Sequence, residues 1–207
     1  MDLLKKWCKE IWKHRFLILL SLLLLVFAII LNHFSGEYVL TKNGTAVSDL
    51  ILDNLPTVDL HLLYLYGAVL VVALLFLYSL LFNVKKFHIV VSQFSLLVMV
   101  RGIFTCMTHL AAPAGALQFH TPKILYFLNL GKDLFFSGHT AIPFLGFLLF
   151  KGEKIRYVFL AMSIIMGAAV LLMHVHYTID VVSAFFITFG TFKIGERIFK
   201  KLNKPED

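Results

Sequence analysis

The residues best equipped for chemistry fall in two short stretches. Ser137-Gly138-His139-Thr140 opens one apolar run, and His174-Val175-His176-Tyr177-Thr178-Ile179-Asp180 joins two others. His176 and Asp180 are four residues apart. In a helix that spacing puts both on one face; if Thr178 instead caps a new helix, the pair faces across a tight turn. In either geometry the carboxylate can accept one ring N–H, fix the tautomer and leave the other nitrogen free to attack. Ser137 is a good helix N-cap residue, with Gly138, His139 and Thr140 in the first turn. The backbone N–H groups of such a helix end form an anion site that suits phosphate. Gly138 allows a ligand to approach the backbone closely, and a histidine in that turn can reach an oxygen of the bound group. Two histidines and an aspartate beside a phosphate-binding helix end suit phosphoryl transfer through a phosphohistidine.

The elements that must position these residues are set by the solvent. Of the 207 residues, 59% are hydrophobic, and the runs are long enough for a bilayer, which takes about 20 apolar residues per helix. Six transmembrane helices are expected, over roughly Phe16–Leu31, Leu62–Phe82, Ile89–Leu110, Phe136–Phe150, Ile155–Met173 and Ile179–Phe199. The fold class is therefore all-α, a polytopic bundle. One membrane domain covers residues 1–207, with a core of about 16–199 and short basic tails. The first run is too long and Leu-rich for a signal peptide and lacks a small-residue cleavage site, so it is expected to be retained. Cys8 and Cys106 are the only cysteines, and their positions make a disulfide improbable.

The net charge of +7 is informative by position. With alternating spans, 15 of the Lys and Arg residues fall on one side and only Lys42, Lys123 and Lys132 on the other, with Arg101 inside the third span. The positive-inside rule then places both termini in the cytoplasm. The excess reads as topology and attraction to anionic lipid, so no nucleic-acid partner is required. The same alternation brings His139, His176 and Asp180 to one non-cytoplasmic surface, with Arg101 about 12 Å below it at 1.5 Å per residue. Ionisable groups at membrane depth indicate function by default, although Arg101 alone could snorkel along its helix.

Other polar features have blander readings. His14, His33, His61 and His88 are expected to be interfacial. The loop AAPAGALQFHTPKILYFLNLGKD after the third span could roof the site or simply lie in the interface. Asn43-Gly44-Thr45 is a glycosylation triplet on the non-cytoplasmic side, and ILDNLP could form a short amphipathic helix. A metal-handling protein could use His109, His120, His139, His174, His176 and Asp180. However, His174 and His176 point to different faces of a helix, and no H-E-x-x-H motif is present. A non-catalytic lipid-binding protein is the other alternative.

Three stretches carry a resemblance: RGIFTCMTHLAAP (101–113), GKDLFFSGHTAIPF (131–144) and MHVHYTIDVVSAFFIT (173–188). They resemble the sphingomyelin synthase family, a branch of the PAP2-type lipid phosphatase/phosphotransferase superfamily. The resemblance implies that His176 is the nucleophile, that Asp180 orients it, and that His139 protonates the leaving group and later activates the acceptor. It extends to Asp133 and Arg101, which join Ser137, Gly138, Thr140 and Tyr177 as expected substrate- or phosphate-binding residues. It implies a phospholipid donor, an acceptor that is a lipid hydroxyl such as ceramide or water, an active site on the non-cytoplasmic face, and no metal or organic cofactor. The chain departs from the phosphatases of the superfamily. It has no Arg-Pro dipeptide, and Ala169 and Val170 stand where their Ser-Arg would fall. A phosphomonoester carries nearly two negative charges and wants several cations, whereas a phosphodiester carries one, which Arg101 with Lys132 could meet. Phosphocholine or phosphoethanolamine transfer, or phospholipase C-like hydrolysis, is therefore expected ahead of phosphatidic acid phosphatase action. Val175 stands where some family members have an acidic residue.

Overall fold

The computed structural model describes residues 2–118 and 135–200. Six α-helices follow in order: α1 (Asp2–Leu40), α2 (His61–Phe82), α3 (Val84–Met107), α4 (Gly138–Leu149), α5 (Ile155–Leu172) and α6 (Thr178–Lys200). Among the described residues there is no strand beyond one isolated bridge, Thr45 with Leu110. Five helices are long and apolar enough to cross a membrane, and α4 is shorter. Its 12 residues span about 18 Å, against a hydrocarbon thickness of about 30 Å. The expected fourth span, Phe136–Phe150, is thus a helix of 12 residues whose first turn is buried, and six full-length spans are not shown.

Helix boundaries differ from the expected ones where polar residues interrupt hydropathy without breaking the backbone. α1 runs on past Leu31 to Leu40 because Asn32 and Ser35 are buried against neighbouring helices. α3 begins at Val84, since Asn83 alone makes the turn from α2: its N–H donates to the Ser79 carbonyl, and its carbonyl accepts from Lys86 N. The ILDNLP segment forms a single 3-10 turn, Leu52–Asn54, with Leu52 buried. His88 is also buried, stacked on His14 with ring centroids 5.5 Å apart.

Close packing at glycines sets the helix pairs. A Cβ on Gly102 of α3 would meet Leu31 and Ser35 of α1 at under 3 Å, and one on Gly146 of α4 would meet the Phe159 ring of α5 at 2.5 Å. Small residues that let backbones approach are the usual means of helix association in lipid. The main core lies between α2, α3, α4, α5 and α6 around Leu75, Leu97, Leu145, Phe150 and Phe159. A second cluster, Tyr64, Leu65, Val170, Met173 and Val181, lies beneath the α5–α6 turn.

Each end of the bundle is tied differently. At one end Glu153 accepts from Tyr78 Oη, Asn83 Nδ2 and Lys86 Nζ, and Trp7 Nε1 donates to the Leu80 carbonyl. At the other end the α1–α2 loop is stitched to the α5–α6 turn. Val58 N–H donates to the Leu172 carbonyl, Val47 N–H to the Tyr177 hydroxyl, and Thr178 to Asp49. Leu117 N–H reaches the Met173 carbonyl, which brings the start of the α3–α4 loop over the same end.

Candidate active site

α6 starts at Thr178, so His176 precedes the helix and Asp180 lies in its first turn. The pair faces across the turn, the second of the two geometries open to the sequence. His176 Nδ1 lies 3.3 Å from Asp180 Oδ2, and that oxygen also accepts from Tyr177 N–H at 2.9 Å. Both side chains are buried, Asp180 completely. The carboxylate therefore holds Nδ1 as the protonated nitrogen and leaves Nε2 with the lone pair. A second tie joins the helices: Ser137 N–H donates to the Asp180 carbonyl at 3.1 Å, so the start of α4 is fixed to the start of α6.

His139, in the first turn of α4, is buried. Its ring stacks on Tyr64 of α2 with centroids 3.9 Å apart and hydrogen-bonds the Tyr64 backbone. Its Nε2 is buried without a hydrogen-bond partner among the described residues. Such an atom is costly in an apolar setting, and it is available to a ligand oxygen. Arg101 is turned inward instead of snorkelling: its Nε donates to the Phe136 carbonyl at 3.0 Å. The guanidinium lies against Gly138, where an added Cβ would come within 3.3 Å of Nε. The glycine expected to admit a ligand thus makes room for the cation that would meet that ligand.

Arg101, Gly138, His139 and His176 line one cavity of about 220 Å³. Arg101 is the one Lys or Arg in its lining among the described residues. Apart from Asn32 and Tyr64, the remaining walls are apolar and come from α1, α2, α3, α4 and α5, among them Leu25, Ile29, Val72, Phe76, Phe94 and Met166. The lining thus combines one arginine and two histidines with a largely apolar surface, the usual composition of a small-molecule site.

Not every expected residue faces this cavity. Thr140 Oγ1 donates to Ser137 Oγ at 3.3 Å and packs near Gly167 of α5. Ser137 occupies the N-cap position without a side-chain capping bond. The Tyr177 hydroxyl donates to the Ala111 carbonyl and accepts from Val47 N–H, so it braces loops. Asp133, with Lys132, lies outside the described residues. His174 sits at a φ of 55° with its ring nitrogens 3.2 Å from the Ala114 and Leu55 carbonyls, and His109 Nε2 is 3.0 Å from the Cys106 carbonyl. Among the described residues no three His, Cys, Asp or Glu side chains are grouped to hold a metal ion.

Two cavity residues had no expected role. Asn32 of α1 and Tyr64 of α2 both line it. Asn32 lay just past the expected end of the first span, and an amide directly continuing that apolar run was the signal that could have found it. Tyr64 gave no signal, because a tyrosine near a span end reads as an interfacial anchor. Asp49 was also missed. Its carboxylate receives Thr178 N–H on Oδ2 and Thr178 Oγ1, Ile51 N–H and Leu52 N–H on Oδ1. Burial raises its pKa, but the combined hydrogen bonds from Leu52, Thr178 and Ile51 outweigh that and hold it below the ordinary 3.8.

Comparison with curated proteins and with solved structures gives no match. Residues 132–197, which include α4, α5 and most of α6 with both cavity histidines and Asp180, match the model of the PAP2 superfamily C-terminal family. This match supports the PAP2-type superfamily for the chain and, with its apolar helices, a membrane enzyme of the lipid phosphatase/phosphotransferase type.

Proposed function

We propose that this protein moves a phosphocholine or phosphoethanolamine headgroup from a phospholipid to a lipid hydroxyl such as that of ceramide, in the manner of the sphingomyelin synthases. The observation that carries the reading is one cavity in which an Asp-paired histidine, a second histidine with a free buried nitrogen, and a single arginine meet an apolar channel. His176 Nε2 attacks phosphorus, forming a P–N bond, while the P–O bond to diacylglycerol breaks. His139, protonated once the anionic phosphodiester lies against its Nε2, delivers that proton to the leaving oxygen. The acceptor hydroxyl then gives its proton to neutral His139 and attacks phosphorus, the P–N bond breaks, and His176 is regenerated. Asp180 favours the imidazolium-like charge that develops on His176. Arg101 balances the one negative charge of a phosphodiester.

The basic end of the bundle faces the cytoplasm in this reading, and the site opens to the extracellular, periplasmic or lumenal side. The test is product analysis with purified protein in liposomes containing phosphatidylcholine, phosphatidylethanolamine and phosphatidic acid, with and without ceramide. A new sphingophospholipid supports the transferase. Diacylglycerol with free phosphocholine or phosphoethanolamine would make the enzyme a phospholipase C-like hydrolase instead. Inorganic phosphate released from phosphatidic acid would overturn the one-cation argument.

A further inference from the structure

The Asp180 carboxylate acts within its own helix end and orients His176, while its carbonyl ties α6 to α4 through Ser137 N–H; a side-chain anchor from outside these helices must come from elsewhere. Asp49, 129 residues away in the α1–α2 loop, supplies it. Its Oδ2 accepts Thr178 N–H at 2.6 Å, the first amide of α6, and its Oδ1 accepts Thr178 Oγ1–H at 2.7 Å. The loop around Asp49 is itself held in shape. Asp49 N–H donates to Asp53 Oδ2, Asp49 Oδ1 receives the Ile51 and Leu52 amides, and the side chain of Leu52 is buried. Consecutive residues 176–178 are therefore gripped from two sides. Asp180 takes the His176 ring and Tyr177 N–H, and Asp49 takes both donors of Thr178.

We infer that Asp49 is a positioning residue for the reaction: by anchoring Thr178 it sets where His176 Nε2 stands relative to the cavity. A helix N-terminus favours a carboxylate, and a misplacement of about 1 Å in a reacting group can cost about a hundredfold in rate. The Val58–Leu172 bond joins backbone groups, and the Val47 N–H donates to the neutral Tyr177 hydroxyl. Asp49 is the one charged side chain of the α1–α2 loop seen to reach residues 176–178, so it can be removed without touching the cavity lining.

This inference rests on the phosphotransfer reading, and the test separates the two. The full chain is reconstituted in phosphatidylcholine and phosphatidylethanolamine liposomes containing ceramide as wild type, Asp49→Ala, Asp49→Asn, Thr178→Val and the Asp49→Ala/Thr178→Val pair. Headgroup release is followed together with hydrogen exchange of the 174–182 peptide. Asp49→Ala should lower kcat by about tenfold to a hundredfold with KM nearly unchanged. Asp49→Asn, which retains one acceptor, should recover part of the loss. Thr178→Val should add little on top of Asp49→Ala, because both act through one contact. Exchange at Thr178 should quicken in Asp49→Ala while the melting temperature holds. An unchanged kcat overturns the inference, as does a loss shared equally between kcat, KM and melting temperature. If the wild type releases no headgroup from any donor, the phosphotransfer reading fails, and exchange alone decides whether Asp49 anchors α6: unaltered exchange at Thr178 rejects it.

Discussion

His176 can act as a nucleophile only with its lone pair on Nε2, and Asp180 enforces that by holding Nδ1. His176→Ala and His139→Ala should each abolish turnover. Asp180→Asn should keep a trace of it, about 10³- to 10⁴-fold below wild type, because an amide can orient the ring but supports the wrong tautomer. Initial rates of headgroup release from purified variants check all three. Gly138→Ala is a gentler probe. Its Cβ would lie 3.3 Å from Arg101 Nε and 3.5 Å from Cζ, so the guanidinium must shift by a few tenths of an ångström. KM for the phospholipid donor should rise by about threefold to tenfold with little change in kcat, the pattern of lost ground-state binding. His139, His176, Asp180 and Arg101 were legible in the sequence because ionisable groups are expensive in apolar runs. Asn32, Tyr64 and Asp49 were not. An asparagine just beyond a hydropathy boundary, a tyrosine at a span end and an aspartate in a polar loop each have ordinary explanations, and only the fold brings them to the site.

At the level of elements, hydropathy located all six helices but not their ends. α4 shows why. Its run of apolar residues continues through Phe150, yet the helix spans only Gly138–Leu149. Alternation of the spans brings its first turn to the same end as the start of α6, but only the fold shows that turn packed on Arg101 of α3. The α4–α5 contact is testable directly. Gly146 packs on the face of Phe159, which in turn stacks on Phe150 at 5.5 Å. Gly146→Val should push that ring aside and destabilise the bundle by about 1–3 kcal/mol, read as a lower melting temperature in detergent. Because the contact lies away from Arg101, His139 and His176, the folded fraction should keep the wild-type KM.

For the whole molecule, charge and geometry select the same two ends. The end that carries Asp49, His176 and His139 is poor in Lys and Arg, while the opposite end carries Lys85, Lys86, Lys151, Lys154 and Arg156. In a background with Cys8 and Cys106 replaced by serine, Ser48→Cys should react with a membrane-impermeant maleimide from the non-cytoplasmic side. Lys151→Cys should react only after permeabilisation. The reverse pattern would put the site on the cytoplasmic side and contradict the proposed orientation. The resemblance and the superfamily match agree on a lipid phosphatase/phosphotransferase type of enzyme, and the proposed choice of a phosphodiester donor rests on the single arginine of the cavity lining.

The central claim is that the headgroup passes through His176. The most direct measurement is rapid acid-free quenching of the enzyme after mixing with phospholipid labelled with ³²P at the headgroup phosphate, followed by peptide mapping. An alkali-stable, acid-labile label is expected on the peptide containing His176, formed within one turnover, chased by added acceptor and absent from His176→Ala. Turnover that proceeds with no label on His176, or that persists in His176→Ala, would contradict it.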